Sequence, residues 1–261
     1  IQSYGYSRDI EDFFLSFGSD QTQGTNENDD WFGSSYTANV FNGLDGDDYI
    51  VGGTGDDQLS GGDGDDKIYS WIGNNTLDGG NGSDKLFYQP SKFAVHIDVL
   101  NETVKYITNG IENYPSSYDE HLSLIDYNDE TTFSNFEVYH GSDNSYVGDL
   151  IDARGTDSSV IIKGHDGDDT IYGSDRADKL HDGDGNDTVY GMGGNDTFIQ
   201  GSGGDTFDGG EGNDTLTSNW SSSLPDYWDD SYVIQANLAQ GFAGLTGSSQ
   251  LDVLRSIELS L

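Results

Sequence analysis

The chain has 261 residues, with 48 acidic side chains against 10 basic ones and a formal net charge of −38. A polyanion of this density repels nucleic acid, which is excluded as a partner, and a compact fold needs cations to offset the self-repulsion. There is no Cys, mean hydropathy is −0.63, and no apolar run reaches the roughly 18 residues of a membrane span, so disulfides, thiolate metal centres and a membrane span are excluded as well.

Disorder is the simplest reading of such a charge, but the composition opposes it. Hydrophobic residues make up 33% and aromatics 12%, whereas disordered acidic chains are poor in aromatics. The acids are also biased, 39 Asp against 9 Glu. Asp has the shorter reach, suits tight turns, and ligates hard cations from within them. The chain opens at Ile1 without a basic-then-apolar signal peptide, as expected of a processed chain or a fragment.

In chain order, residues 1–24 carry an apolar patch at Phe13, Phe14, Leu15 and Phe17, expected to cap the open end of the adjoining roll or to dock a neighbouring chain. A nine-residue repeat then sets in. From Gly43 the blocks read GLDGDDYIV, GGTGDDQLS, GGDGDDKIY, SWIGNNTLD and GGNGSDKLF, preceded by the looser TNENDDWFG and SSYTANVFN, so the first run spans 25–87. A second run over 155–217 reads GTDSSVIIK, GHDGDDTIY, GSDRADKLH, DGDGNDTVY, GMGGNDTFI, QGSGGDTFD and GGEGNDTLT. The eighth position is always large and apolar: Phe32, Phe41, Ile50, Leu59, Ile68, Leu77 and Leu86, then Ile162, Ile171, Leu180, Val189, Phe198, Phe207 and Leu216.

The first six residues of each block are Gly- and Asp-rich and predict a turn; the last three alternate polar–apolar–polar and predict a very short strand with one inward side chain. One block cannot bury its apolar residue alone. Two blocks form a strand–turn–strand–turn coil, and stacked coils make a two-sided parallel roll with a thin apolar centre. Blocks two apart then share a side, which stacks their sixth-position residues. In the first run Asp30, Asp48, Asp66 and Asp84 form one ladder, and Asn39, Asp57 and Asn75 a weaker one. In the second run Asp169, Asp187 and Asp205 share one side, and Asp178, Asp196 and Asp214 the other, with Val160 breaking the pattern at its start. A Ca²⁺ between adjacent turns would take a carboxylate from each and complete its six to eight oxygens with turn carbonyls.

These blocks, GGTGDDQLS, GGDGDDKIY and GGEGNDTLT above all, resemble the RTX calcium-binding nonapeptide repeat, G-G-x-G-x-D-x-U-x with U large and apolar. The resemblance implies an all-β fold, two parallel β-rolls joined by a small β connector with a short connector or cap at the C-terminus, and Ca²⁺ held by sixth-position Asp and Gly-turn carbonyls. Carried onto this chain, each adjacent pair of acids implies an ion, about seven strong sites and two weaker ones around Asp57. It also implies export by type I secretion, hence a secreted, extracellular or cell-surface location, with the chain unfolded at low calcium and folding outside.

Residues 88–154 break the repeat, with KFAVHIDVL (92–100) and HLSLIDY (121–127) alternating like half-buried strands, and are expected to form the β connector. Within the expected C-terminal connector or cap, 218–261, residues 231–261 look like a shorter version, in which LDVLRSIEL echoes FSNFEV. Gly43 and Gly164 are as far apart in the chain as Glu137 and Glu258, so the chain reads as two copies of one roll-plus-connector unit, ending in a terminal cap or continuing in a longer array.

No catalytic constellation is expected. No HExxH, G-x-S-x-G, P-loop or G-x-G-x-x-G is present. His96, His121 and His140 in the connector read as packed residues, and His165 and His181 as surface positions within the repeats. DGDGND at 182–187 fails as an EF-hand because Asp187 replaces its Gly and Gly193 its final Glu. Three functions fit: a structural subunit of a surface layer, adhesin or filament, assembling with itself or on cell-surface polysaccharide, with Tyr49, Tyr69, Tyr172 and Tyr190 expected on its surface; the C-terminal calcium-dependent module of a secreted protease, lipase or polysaccharide-modifying enzyme; or an enzyme built on His96–Asp98 or His121–Asp126. The first is the primary expectation.

Overall fold

The computed structural model describes residues 22–34, 37–88, 94–106, 130–143, 148–217, 234–237, 242–245 and 252–255, and every regular element among them is a strand. The chain divides into two compact units, 1–86 with 124–136, and 87–123 with 137–261.

In the first unit, Asp30–Phe32, Tyr49–Val51 and Lys67–Ser70 stack in parallel, and the Lys85 amide continues the ladder by donating to the Asp66 carbonyl at 2.9 Å. The opposite sheet stacks Val40–Asp45, Gln58–Asp63, Thr76–Asn81 and Thr131–Ser134, again in parallel. The register aligns one apolar side chain per strand: Trp31, Ile50 and Ile68 in one sheet, Phe41, Leu59, Leu77 and Phe133 in the other, all buried. The two columns meet, with the Trp31 and Phe41 rings stacked at 4.5 Å. Polar seventh and ninth residues turn outward because successive side chains of a strand alternate faces.

The second unit repeats this arrangement. Tyr139, Ile162, Leu180, Phe198 and Leu216 form one buried column, and Ile97, Ile151, Ile171, Val189 and Phe207 the other. Phe198 and Phe207 meet edge to face at 5.6 Å. Val95–Asp98 turns back antiparallel on Thr103–Tyr106, and Thr206–Asp208 is followed in its sheet by Asp252–Arg255, then by antiparallel Phe242–Leu245 and Ile234–Asn237. The turns demand glycine where coils approach. Gly64 sits at φ +144°, and a Cβ there would collide with the carbonyl oxygen of Gly46 one coil earlier.

Two details differ from the sequence reading. The first block is out of phase by one: Trp31, not Phe32, points inward, while Phe32 stays on the outer face with its ring 5.8 Å from Tyr49. A one-residue slip exchanges the faces of a strand, and burying Trp31 on Phe41 decides which face wins. Parts of 88–154 also join the parallel stacks: Thr131–Ser134 pairs with Thr76–Asp78, Val138–His140 with Ile161–Lys163, and Leu150–Asp152 with Thr170–Tyr172. Of the expected N-terminal cap, residues 1–21 lie outside the described residues; Gly24 donates its amide to the Asn42 carbonyl at 2.8 Å.

Leu180 is fully buried in its column, so Leu180→Ala is expected to destabilise the calcium-loaded protein by about 3 kcal/mol in urea unfolding. Leu100, exposed at 55%, serves as control, and Leu100→Ala should change stability by less than about 0.5 kcal/mol.

Candidate metal centre

The sixth position of each block immediately precedes its strand, so the coil register fixes both its height and its direction. Along one side of the first unit, Oδ1 of each carboxylate accepts the backbone N–H of its counterpart one coil earlier: Asp29 N–H to Asp48 at 2.8 Å, Asp48 to Asp66 at 2.7 Å, and Asp66 to Asp84 at 2.8 Å. In the second unit the same bonds join Asp149 to Asp169 at 2.7 Å, Asp169 to Asp187 at 2.8 Å, and Asp187 to Asp205 at 3.0 Å. The opposite side runs from Val160 to Asp178 at 2.9 Å, then Asp178 to Asp196 at 2.8 Å and Asp196 to Asp214 at 2.9 Å. All of these ladder carboxylates from Asp48 onward are buried.

The second carboxylate oxygen carries the chemistry. Oδ2 of Asp48, Asp66, Asp169, Asp187 and Asp196 is buried without a hydrogen-bond partner. A buried, unpaired anionic oxygen is costly, and five in matching positions indicate a common occupant. The surroundings show where it fits. A Cβ built on Gly61 would collide with Asp66 Oδ2 and lie 2.5 Å from the Gly79 carbonyl oxygen; one on Gly191 would collide with Asp196 Oδ2 and lie 2.5 Å from the Gly209 carbonyl oxygen. The first-position glycine thus leaves a cradle into which a carboxylate oxygen and a carbonyl oxygen of the next coil both point. An all-oxygen set of this kind suits a hard divalent cation such as Ca²⁺ rather than zinc or copper.

Not every rung is alike. Asp57 Oδ1 accepts from both the Asn39 backbone N–H at 2.8 Å and its Nδ2 at 2.7 Å, while Oδ2 accepts from Gly53 N–H at 2.9 Å. Asp178 Oδ2 accepts from Ser174 N–H at 2.6 Å, and Ser142 bonds both oxygens of Asp149 through its amide and hydroxyl. Asn75 Nδ2 donates to Ser70 Oγ at 2.9 Å, the Trp71 carbonyl at 2.7 Å and Thr131 Oγ1 at 3.2 Å. Protein donors occupy these rungs where the others present bare oxygen.

The structure therefore places Asp48, Asp66, Asp84, Asp57, Asp169, Asp187, Asp205, Asp178, Asp196 and Asp214 in the expected ladders. Asp30 is not in one: it is exposed and registers with Tyr49, and the one-residue slip hands its place to Asp29. Two further residues escape the sequence pattern. Asp149 completes a rung below Asp169, and its signal is Gly-Asp-Leu-Ile-Asp at 148–152, the last five positions of a block. Asp182 takes a first position where glycine is usual, yet its carboxylate is buried beside those of Asp187 and Asp205. Fifth-position side chains also form an exposed ladder of opposite sense, with Asp65 N–H donating to Asp47 Oδ1 at 3.0 Å and Ser83 N–H to Asp65 Oδ1 at 2.9 Å.

His140 packs as expected, whereas His165 does not. His140 is buried, its ring stacked on Phe87 at 3.9 Å, and its Nδ1 lies 2.8 Å from Nε2 of His165, which is half-buried rather than a simple surface residue. Asp143 Oδ1 lies 3.1 Å from His165 Nδ1. Asp98 is engaged in its own turn, accepting from the Asn101 amide at 3.0 Å, and His121 and Asp126 lie outside the described residues.

Burial pushes the carboxyls of Asp66, Asp187 and Asp196 up to about 7, with neighbouring ladder charges adding to it. Burial, followed by the Asp149 charge, pushes Asp169 to about 9. The family model for the RTX calcium-binding nonapeptide repeat, four copies long, matches repeatedly between residues 35 and 86 and between 153 and 221. Comparison with curated proteins gave no match.

A carboxyl whose folded pKa lies above its unfolded value costs nothing below the unfolded value and destabilises the fold increasingly as pH rises through the interval between them. Without metal, folded signal in circular dichroism should therefore be largest near pH 4 and decline toward pH 9, the window set by Asp66, Asp187, Asp196 and Asp169. With metal present, Asp66→Asn removes charge from two adjacent steps, so the calcium concentration that half-folds the first unit should rise roughly tenfold.

Proposed function

We propose that the chain, whose repeats match the RTX calcium-binding nonapeptide repeat model over 35–86 and 153–221, is a secreted protein whose rolls fold when calcium arrives and then serve as a structural subunit at the cell surface or in an extracellular assembly. The repeats bind calcium and form a structural fold. The observation that carries the reading is the set of buried, partnerless Oδ2 atoms at Asp48, Asp66, Asp169, Asp187 and Asp196. One ion per step that presents a bare Oδ2 is the proposed stoichiometry, starting at Asp29 rather than Asp30 in the first run and at the Asp149–Asp169 step in the second, with the repeat-bearing stretches 25–87 and 155–217, the latter extended back to Asp149, as the loaded parts.

Calcium that binds only the folded chain stabilises it by mass action at every step, so a chain exported into millimolar calcium folds there and not before. Support for assembly comes from the sheet faces. Tyr49 and Tyr69 pack at 4.9 Å, and Tyr172 stacks on Tyr190 at 4.8 Å with Arg154 4.1 Å above the Tyr172 ring. Such rows repeat with the coil and offer a second copy a matching surface. No helix among the described residues is long and apolar enough to cross a membrane.

Size-exclusion chromatography with light scattering, in chelator and then in millimolar Ca²⁺, tests the proposal. Growth from an expanded monomer to compact dimers or larger species is expected. Compaction at constant monomer mass would replace the assembly role with that of a calcium-dependent module of a larger secreted enzyme. No change in size or mass would contradict both.

A further inference from the structure

The step between Asp187 and Asp205 is unlike the others. Elsewhere the first position of the block is usually glycine, and the cradle is bounded by backbone; here Asp182 puts a carboxylate into it, and Gln200 takes the same position in the next coil on that side. Asp182 is 0% exposed. Its Oδ1 accepts from Gly183 N–H at 2.8 Å and from Gly201 N–H at 2.6 Å, one donor from its own coil and one from the next, which locks the carboxylate across the step. Its Oδ2 is buried and without a partner, as is Oδ2 of Asp187. One carboxylate oxygen from each of Asp182, Asp187 and Asp205 lies within 4.8 Å of the others.

Three carboxylates converging with two buried, unsatisfied oxygens are not a solvated acidic patch. Water is excluded, two of the oxygens lack donors, and the remaining Asp182 oxygen is tied to backbone on both sides of the seat. Calcium affinity rises with the number of charged ligands and with the rigidity of the site. Asp182 supplies both. It also connects two steps, because a Cβ on Gly164 would collide with the Asp182 carbonyl oxygen and with Asp169 Oδ2 together. The backbone of Asp182 thus faces the Asp169 cradle while its side chain enters the next.

We propose that Asp182 makes the Asp182–Asp187–Asp205 seat a three-carboxylate calcium site, tighter than the two-carboxylate steps and the first of the second run to fill. The assignment rests on the calcium reading of the ladders and adds a ligand from a position that the repeat ordinarily leaves without a side chain. Once filled, the seat fixes the coils of Asp187 and Asp205 in register and presents the Asp182 carbonyl to the neighbouring step.

Calorimetric titration of the full chain with Ca²⁺, with folding followed by circular dichroism, tests the proposal in three proteins: wild type, Asp182→Gly, which restores the usual repeat residue, and Asp182→Asn, which keeps the shape and the two backbone bonds but removes the charge. Wild type should show one site filling at a calcium concentration at least about tenfold below the rest. Both variants should lose that early phase while still folding in saturating calcium. If Asp182→Gly fails to fold, Asp182→Asn gives the reading alone. An unchanged isotherm in either variant would overturn the proposal, and so would an additional ion taken up by Asp182→Gly, since Asp182 would then be blocking a seat. Absence of calcium uptake by all three proteins would instead overturn the calcium reading itself.

Discussion

Carboxylates stacked at the spacing of a parallel sheet, about 4.8 Å, are the constraint on which the rest depends. Each ladder Asp is fixed at that height by the amide it accepts from the preceding coil, as between Asp48 and Asp66, and cannot swing away without breaking the ladder. The fold therefore builds like charge into a dry edge and leaves Oδ2 of Asp48, Asp66, Asp169, Asp187 and Asp196 unsatisfied. A coil offers little to offset this, because only one side chain per nine residues enters the core. A hard cation between successive rungs removes the repulsion, satisfies the bare oxygens and joins the coils at the same time. On the proposed reading, folding and ion uptake become one equilibrium.

The same constraint explains why rungs differ. Where an amide side chain replaces a carboxylate, as at Asn39 and Asn75, protein donors complete the hydrogen bonding and no bare oxygen is left to a cation at Asp57. Ser174 and Ser142 do this at Asp178 and Asp149. These rungs are completed by protein donors, whereas those at Asp66, Asp187 and Asp196 leave Oδ2 bare. Asp182 is the reverse case, an added carboxylate whose Oδ1 is held by two backbone amides while its Oδ2 has no protein donor.

Much of this was legible in the chain. An apolar residue every ninth position and an Asp two places before it fixed both the parallel coil and the ladder, because period and register are local properties of a repeat. What was not legible depended on packing between coils. The choice of Trp31 over Phe32 turns on which ring stacks against Phe41, and it moves the first carboxylate from Asp30 to Asp29. Asp149 was hidden because only the strand half of its block survives in the sequence, and Ser142 closes the rung from elsewhere in the chain. The Asp143–His165–His140 chain joins residues of the expected connector to a repeat that the linear pattern keeps apart.

Hydrogen exchange read by mass spectrometry at the ladder amides tests the central claim most directly. The amides of Asp48, Asp66, Asp169 and Asp187 donate to the next rung in the folded coil. At neutral pH, peptides containing them should exchange freely in chelator and become protected together on calcium addition. Protection of the same amides in chelator, at the level seen with calcium, would contradict the account, because the stacked carboxylates would then be tolerated without an ion.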